Sequence, residues 1–147
     1  MVAEIKKTIA SPTRLNLKLD NGHSMVEYGD GLATIIHYPE NSTLIDVQSV
    51  LENMSAVNKL SGNMVSPLLI DFSAFTTINP LYTPTARTIL LGSDSSKKRS
   101  AIALLFCDED QIKKAFLFHS ANKYSIPLKM FRHREEAIDW LKTFILN

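Results

Sequence analysis

Few residues of this chain have the types and spacing that chemistry requires, and those that do gather after one apolar run. Leu68-Leu69-Ile70-Asp71-Phe72 places a carboxylate at the end of a hydrophobic stretch. Ser73 to Tyr82 follows, then Thr83-Pro84-Thr85-Ala86-Arg87. Asp71 could act as an acid or base. It could equally cap backbone groups where the chain leaves the run, and capping is the preferred reading. Thr83 and Thr85 carry hydroxyls, and a phosphate there would meet the free N–H groups of a helix start. Thr before Pro is also a good N-cap followed by the residue favoured at the first helical position, and capping alone explains it. Arg87 lies about one turn further on, where it would help hold an anion; an exposed arginine on a short helix is the plainer account. Asp71, Thr83, Thr85 and Arg87 are the binding or switch candidates.

Other chemistries find less support. His23, His37, His119 and His133 pair neither with one another nor with Cys107 at a metal-ligand spacing, so no metal site is expected. Cys107 precedes Asp108 at a helix start, where thiol pKa values fall; a small buried apolar residue at a strand end is the commoner role. The nucleophile elbow, the phosphate-binding glycine loop and the dinucleotide fingerprint are missing. Of five glycines only Gly29 and Gly31 fall close together, and they make a turn. The chain reads as a non-enzyme without a cofactor.

With 147 residues there is enough chain for one domain with a real core. Net charge is +1, which gives no bias toward nucleic acid or acidic membranes. Lys97-Lys98-Arg99 is a small basic cluster in a serine-rich loop, and a solvated loop is the expected reading. One cysteine excludes an intramolecular disulfide. The N-terminal residues lack a signal-like apolar core and no apolar run reaches membrane-spanning length. A cytoplasmic protein is expected, with no nucleic-acid partner and no membrane insertion.

The elements that must position the candidates come from periodicity. Arg14 to Leu19 alternates, with Leu15, Leu17 and Leu19 on one side, and predicts a half-buried strand. Asp20-Asn21-Gly22 turns the chain. Ser24 to Tyr28 and Leu32 to Tyr38 complete an antiparallel meander, with Gly29-Asp30-Gly31 between them. Thr43 and Asp46 cap a helix whose apolar stripe is Leu44, Val47, Leu51 and Met54, with Leu60 near its end and Gly62 as its stop. Val65 to Phe72, apolar on both faces, predicts a central strand between layers of helix. A helix follows from Thr83. Ser100 to Phe106 is a second buried strand, and Asp108 with Gln111 caps the helix after it. That helix carries Ile112, Ala115, Phe116 and His119 on one face, with Leu117 and Phe118 beyond it. Phe116, Phe118 and Tyr124 are partner-surface candidates if they share one exposed patch. Pro127 to Phe131 is the last strand. The last helix has Glu135 and Glu136 in its first turn and a stripe of Ala137, Ile138, Leu141, Phe144 and Ile145, with Trp140 at its edge.

The order βββαβαβαβα predicts a single α/β domain: a mixed sheet with an antiparallel N-terminal meander, parallel later strands and four helices. Residues 1–12 read as an N-terminal extension and 13–147 as the domain. This order, with Leu69-Ile70-Asp71-Phe72 as the fourth strand, resembles the STAS domain in its SpoIIAA-like branch. The later half, Ala101-Ile102-Ala103-Leu104-Leu105, Ile126-Pro127-Leu128-Lys129-Met130-Phe131 and Arg134-Glu135-Glu136-Ala137-Ile138-Asp139-Trp140-Leu141, is similar to bacterial STAS-like proteins of unknown function. The resemblance implies a regulatory, protein-binding module. In the anti-sigma-factor antagonists a serine in an Asp-Ser-Ser-Gly-like motif is phosphorylated at the head of the second helix. Here the region reads Ile78-Asn79-Pro80-Leu81-Tyr82-Thr83-Pro84, without that motif. The partner is expected to be a protein of unknown identity, and the apolar surplus of the third helix is compatible with a homodimer. The alternative is a carrier of a small apolar or lipid-like ligand.

Overall fold

The computed structural model describes residues 17–22, 24–38, 47–62, 64–74, 99–113 and 126–145. The expected extension 1–12 and the start of the helix at Thr83 lie outside them. Six strands form one sheet in the order of the sequence: β1 (Leu17–Asp20), β2 (Ser24–Gly29), β3 (Leu32–His37), β4 (Ser66–Asp71), β5 (Arg99–Leu105) and β6 (Leu128–Phe131). The first three are antiparallel neighbours and β3 to β6 are parallel neighbours, as the meander and the later alternation predict. Two helices, α1 (Val47–Ser61) and α2 (Arg134–Lys142), accompany the sheet, and 109–113 is helical as well. The full count of four helices is not reached among the described residues.

Alternation assigns the faces. Leu68, Ile70 and Phe72 of β4 and its exit join Ile102, Leu104 and Phe106 in one core, closed by Met54 and Val57 of α1, with Ile112 packed against it. Leu69, Ala101, Ala103 and Leu105 point the other way, onto Ala137 and Leu141 of α2. Parallel strands laid down in sequential order with right-handed crossovers put the connections on one face. The positions of α1 and Ile112 fit that rule, and α2, which follows the last strand, covers the other face. The alanines of β5 allow α2 to lie close. Burying Leu141 completely is worth roughly 1.5–3 kcal/mol.

The β2–β3 turn is Asp30-Gly31, with φ of 54° and 78°. Two successive positive φ values match the right-handed twist of the flanking strands. A Cβ on Gly31 would stand 3.1 Å from Cγ2 of Ile145, beyond α2, so the turn is tight in space as well as in backbone. Gly31→Ala is expected to lower stability by about 1–2 kcal/mol, seen as a lower midpoint in urea unfolding. An unchanged midpoint would contradict this turn.

Three expectations fail here. β1 is exposed at all four residues rather than half-buried, because it is the edge strand of the described sheet and α1 packs mainly on β2. Leu51, expected in the buried stripe of α1, is 48% exposed for the same reason: it overhangs the edge beside β1. Arg99 is not in a solvated loop. It opens β5, is buried, and donates from Nη2 to Oδ1 of Asn58 in the last turn of α1 at 2.8 Å. Burial lowers its pKa to about 10, so the guanidinium stays charged at neutral pH. The negative end of the α1 dipole favours a cation there. Lys97 and Lys98 lie outside the described residues.

Candidate functional site

In open α/β sheets the C-terminal ends of parallel strands are where ligands and partners meet the fold. Asp71 stands there, at the end of β4 between β3 and β5. Its Oδ1 accepts a hydrogen bond from the Ser73 N–H at 2.8 Å and another from the Ser73 hydroxyl. Its Oδ2 faces Nη1 of Arg134, in the first turn of α2, at 3.6 Å. The expected capping role of Asp71 is therefore present: it holds the exit of β4. Its ion pair with Arg134 is half-exposed and worth little on its own, under about 1 kcal/mol.

An open groove of about 680 Å³ runs from Asp71, Ser73 and Leu105 to Arg132, His133, Arg134, Glu135 and Glu136. Its floor comes from β4 and β5, and one wall is the start of α2. Charges of both signs share it. His133 occupies the N-cap position of α2 with extended backbone and no side-chain capping bond, and it is exposed.

On the other face of the sheet, at the same strand ends, lies a residue that periodicity alone would have found. His37 ends β3 two positions after Ile35 and four after Ala33, so alternation aims it at the core shared with α1. It is 9% exposed and stacks on Phe72, with ring centroids 5.5 Å apart and planes 10° from parallel. Burial lowers its pKa to about 4, against a smaller opposing pull from the Asp71 charge, so it is neutral at physiological pH. Phe72 continues to Phe106, 5.6 Å away. The three rings, the first pair stacked and the second tilted, fill the α1 side of these strand ends.

Cys107 follows β5, half-buried, its thiol pushed up by desolvation and then by the Asp108 carboxylate. It is held as the thiol, and the structural reading stands against the reactive one. Asp108 accepts the Gln111 N–H at 2.9 Å, the cap expected from the sequence. Thr83, Thr85, Arg87, Phe116, Phe118 and Tyr124 lie outside the described residues, as do His23 and His119. Among the described residues no group of His, Cys, Asp and Glu is placed to hold a metal ion, and no helix is long and apolar enough to cross a membrane.

Sheet, helices and groove define a single mixed α/β sheet with a charged recess at the C-terminal ends of its parallel strands. Within that class, the chain belongs to a family described as a domain of unknown function, DUF7793, whose model matches residues 29–145. No curated protein matches the sequence. Among solved structures the chain is similar to an uncharacterized protein of the DUF3478 family with a SpoIIAA-like fold, from Shewanella loihica PV-4. Identity is 11%, the match covers 86% of this chain and 92% of that one, and the TM-score is 0.48. It is also similar to a protein of unknown function from Arthrobacter sp. FB24, at 25% identity over 78% of this chain and 88% of that one, with a TM-score of 0.29.

Proposed function

We propose that this protein is a non-enzymatic, STAS-like regulatory module that reads a protein partner at the groove beside Asp71, in the cytoplasm. One observation carries the reading. The groove is open, lined by charged residues of both signs, and its central carboxylate is engaged in holding the β4 exit. Such a surface suits salt-bridged contact with a folded partner, where charge complementarity sets orientation and specificity. The alternative, a carrier for a small apolar ligand, has a weaker footing in an open recess of about 540 Å³ between α1 and β1, which Leu19, Val26, Leu51 and Ala56 share with Asp20, Glu52 and Lys59.

Affinity purification from the parent cells with quantitative mass spectrometry tests the proposal. Arg132→Glu combined with Glu136→Lys inverts the groove without touching the Asp71 contacts. Proteins enriched by the wild type are expected to fall about tenfold or more with the double variant, the scale of losing two interfacial charge contacts. An enriched set indifferent to the inversion, or a turnover activity abolished by Asp71→Ala, would overturn it.

A further inference from the structure

The outer edge of β1 carries a pattern that the groove reading does not use. Among the described residues β1 pairs with β2 alone, in unbroken register, and all four of its residues are exposed. Leu17 and Leu19 are 42% and 36% exposed. They sit opposite Tyr28 and Val26 and so share the α1 face, where Leu51 extends the apolar strip. An uncovered strand edge offers its backbone to another chain unless something blunts it.

The backbone decides which groups are offered. The Asn21 N–H donates to the Ser24 carbonyl at 3.2 Å, which makes Asn21 and Ser24 a hydrogen-bonded antiparallel pair. Such pairs alternate with unbonded ones, so Leu19–Val26 and Leu17–Tyr28 are bonded inward. Lys18 and Asp20 therefore direct their N–H and C=O groups outward. Their side chains lie on the face opposite the leucines, one cationic and one anionic. Asp20 is fixed by the Gly22 N–H at 2.8 Å and the Tyr38 hydroxyl at 2.7 Å, Tyr38 first, and both bonds hold its pKa below the ordinary range.

We propose that β1 pairs antiparallel with β1 of a second copy of this chain, centred on Leu19. In this register Lys18 of each copy lies opposite Asp20 of the other, in the hydrogen-bonded positions where the outward backbone groups need a partner. Leu19 meets its own copy at the two-fold axis, in the unbonded class of pair where side chains approach most closely. Sliding the strands by one pair either way sets Lys18 against Lys18 or Asp20 against Asp20, and like charges directly opposite are unfavourable. A lone lysine on an edge would discourage pairing; an aspartate two residues on turns it into a self-complementary code. The result is one sheet continuous through both copies. It differs from the homodimer expected through the third helix, and it is independent of the groove.

Cysteine cross-linking in the full chain with Cys107→Ala tests the register. Leu19→Cys is expected to give a covalent dimer on mild oxidation, since closely spaced unbonded pairs suit disulfide geometry. Leu17→Cys, offset from its own copy along the strand, is expected to give little. Sedimentation of the unmodified protein is expected to show a dimer that weakens about tenfold with Lys18→Asp, from two like-charge oppositions. A monomer at every concentration, equal cross-linking at both positions, or a dimer indifferent to Lys18→Asp would overturn the proposal.

Discussion

Phe72→Ala is expected to remove about 3–5 kcal/mol of folding stability, the range for deleting a buried phenylalanine ring. Phe72 has no exposed surface and lies between the His37 and Phe106 rings. Its backbone also matters: the Phe72 N–H donates to the Leu105 carbonyl at 2.8 Å, extending the β4–β5 pairing one residue beyond the strand. Alanine keeps that bond, so the loss isolates the ring. A domain of this size has roughly 5–15 kcal/mol in all, and the variant would sit near its limit. Phe72→Leu refills most of the volume and is expected to lose under about 1.5 kcal/mol. Urea unfolding of both variants checks this, with midpoints falling in the order wild type, Leu, Ala. A loss below about 1 kcal/mol for alanine would mean that the ring is not packed as described.

His37 gives the second large effect, and it depends on pH. Its pKa drops from 6.5 to about 4 in the folded protein because burial penalises the charged ring. The unfolded chain therefore takes up the proton first as pH falls. The contribution of neutral His37 is complete above pH 6.5 and is lost progressively toward pH 4. At 1.36 kcal/mol per pKa unit the loss is about 2 kcal/mol by pH 5 and about 3 kcal/mol by pH 4. His37→Phe keeps a flat ring against Phe72 and cannot titrate. Its stability is expected to fall less than that of the wild type between pH 7 and pH 5, by about those 2 kcal/mol. Parallel pH profiles for the two proteins would contradict the burial of His37 as a neutral ring.

The sheet was largely legible because its signals are local. Each of the six strands follows from alternation or from an apolar run, and turn residues such as Asp30-Gly31 and Gly62 mark where elements stop. What periodicity cannot supply is how far a neighbour reaches. Leu17 and Leu19 alternate as a buried face would, yet whether anything covers that face depends on where α1 lies. Arg99 departs from its expected place for a related reason. Its charge argued for solvent, while a helix C-terminus distant in sequence supplied Asn58. The site was half legible. Asp71 at the strand end and its capping role followed from position alone. His37 lies on the same alternating face as Ala33 and Ile35, a strand-parity signal that metal-ligand spacing does not carry. The mixed charges around Asp71 come from Arg132 and the start of α2, and nothing local to β4 announces them.

The sequential order of the strands has a consequence for synthesis. Among the described residues every strand pairs only with those immediately before and after it in the chain. No strand must wait for a later one to be slotted between itself and an earlier neighbour, so the sheet can grow by accretion as the polypeptide leaves the ribosome, N-terminal part first. One surface cannot be completed that way. Leu69, Ala101, Ala103 and Leu105 are capped by Ala137 and Leu141, near the C-terminus. A nascent chain stalled before α2 would carry a finished sheet with one greasy side bare, the kind of intermediate that chaperones are there to shield.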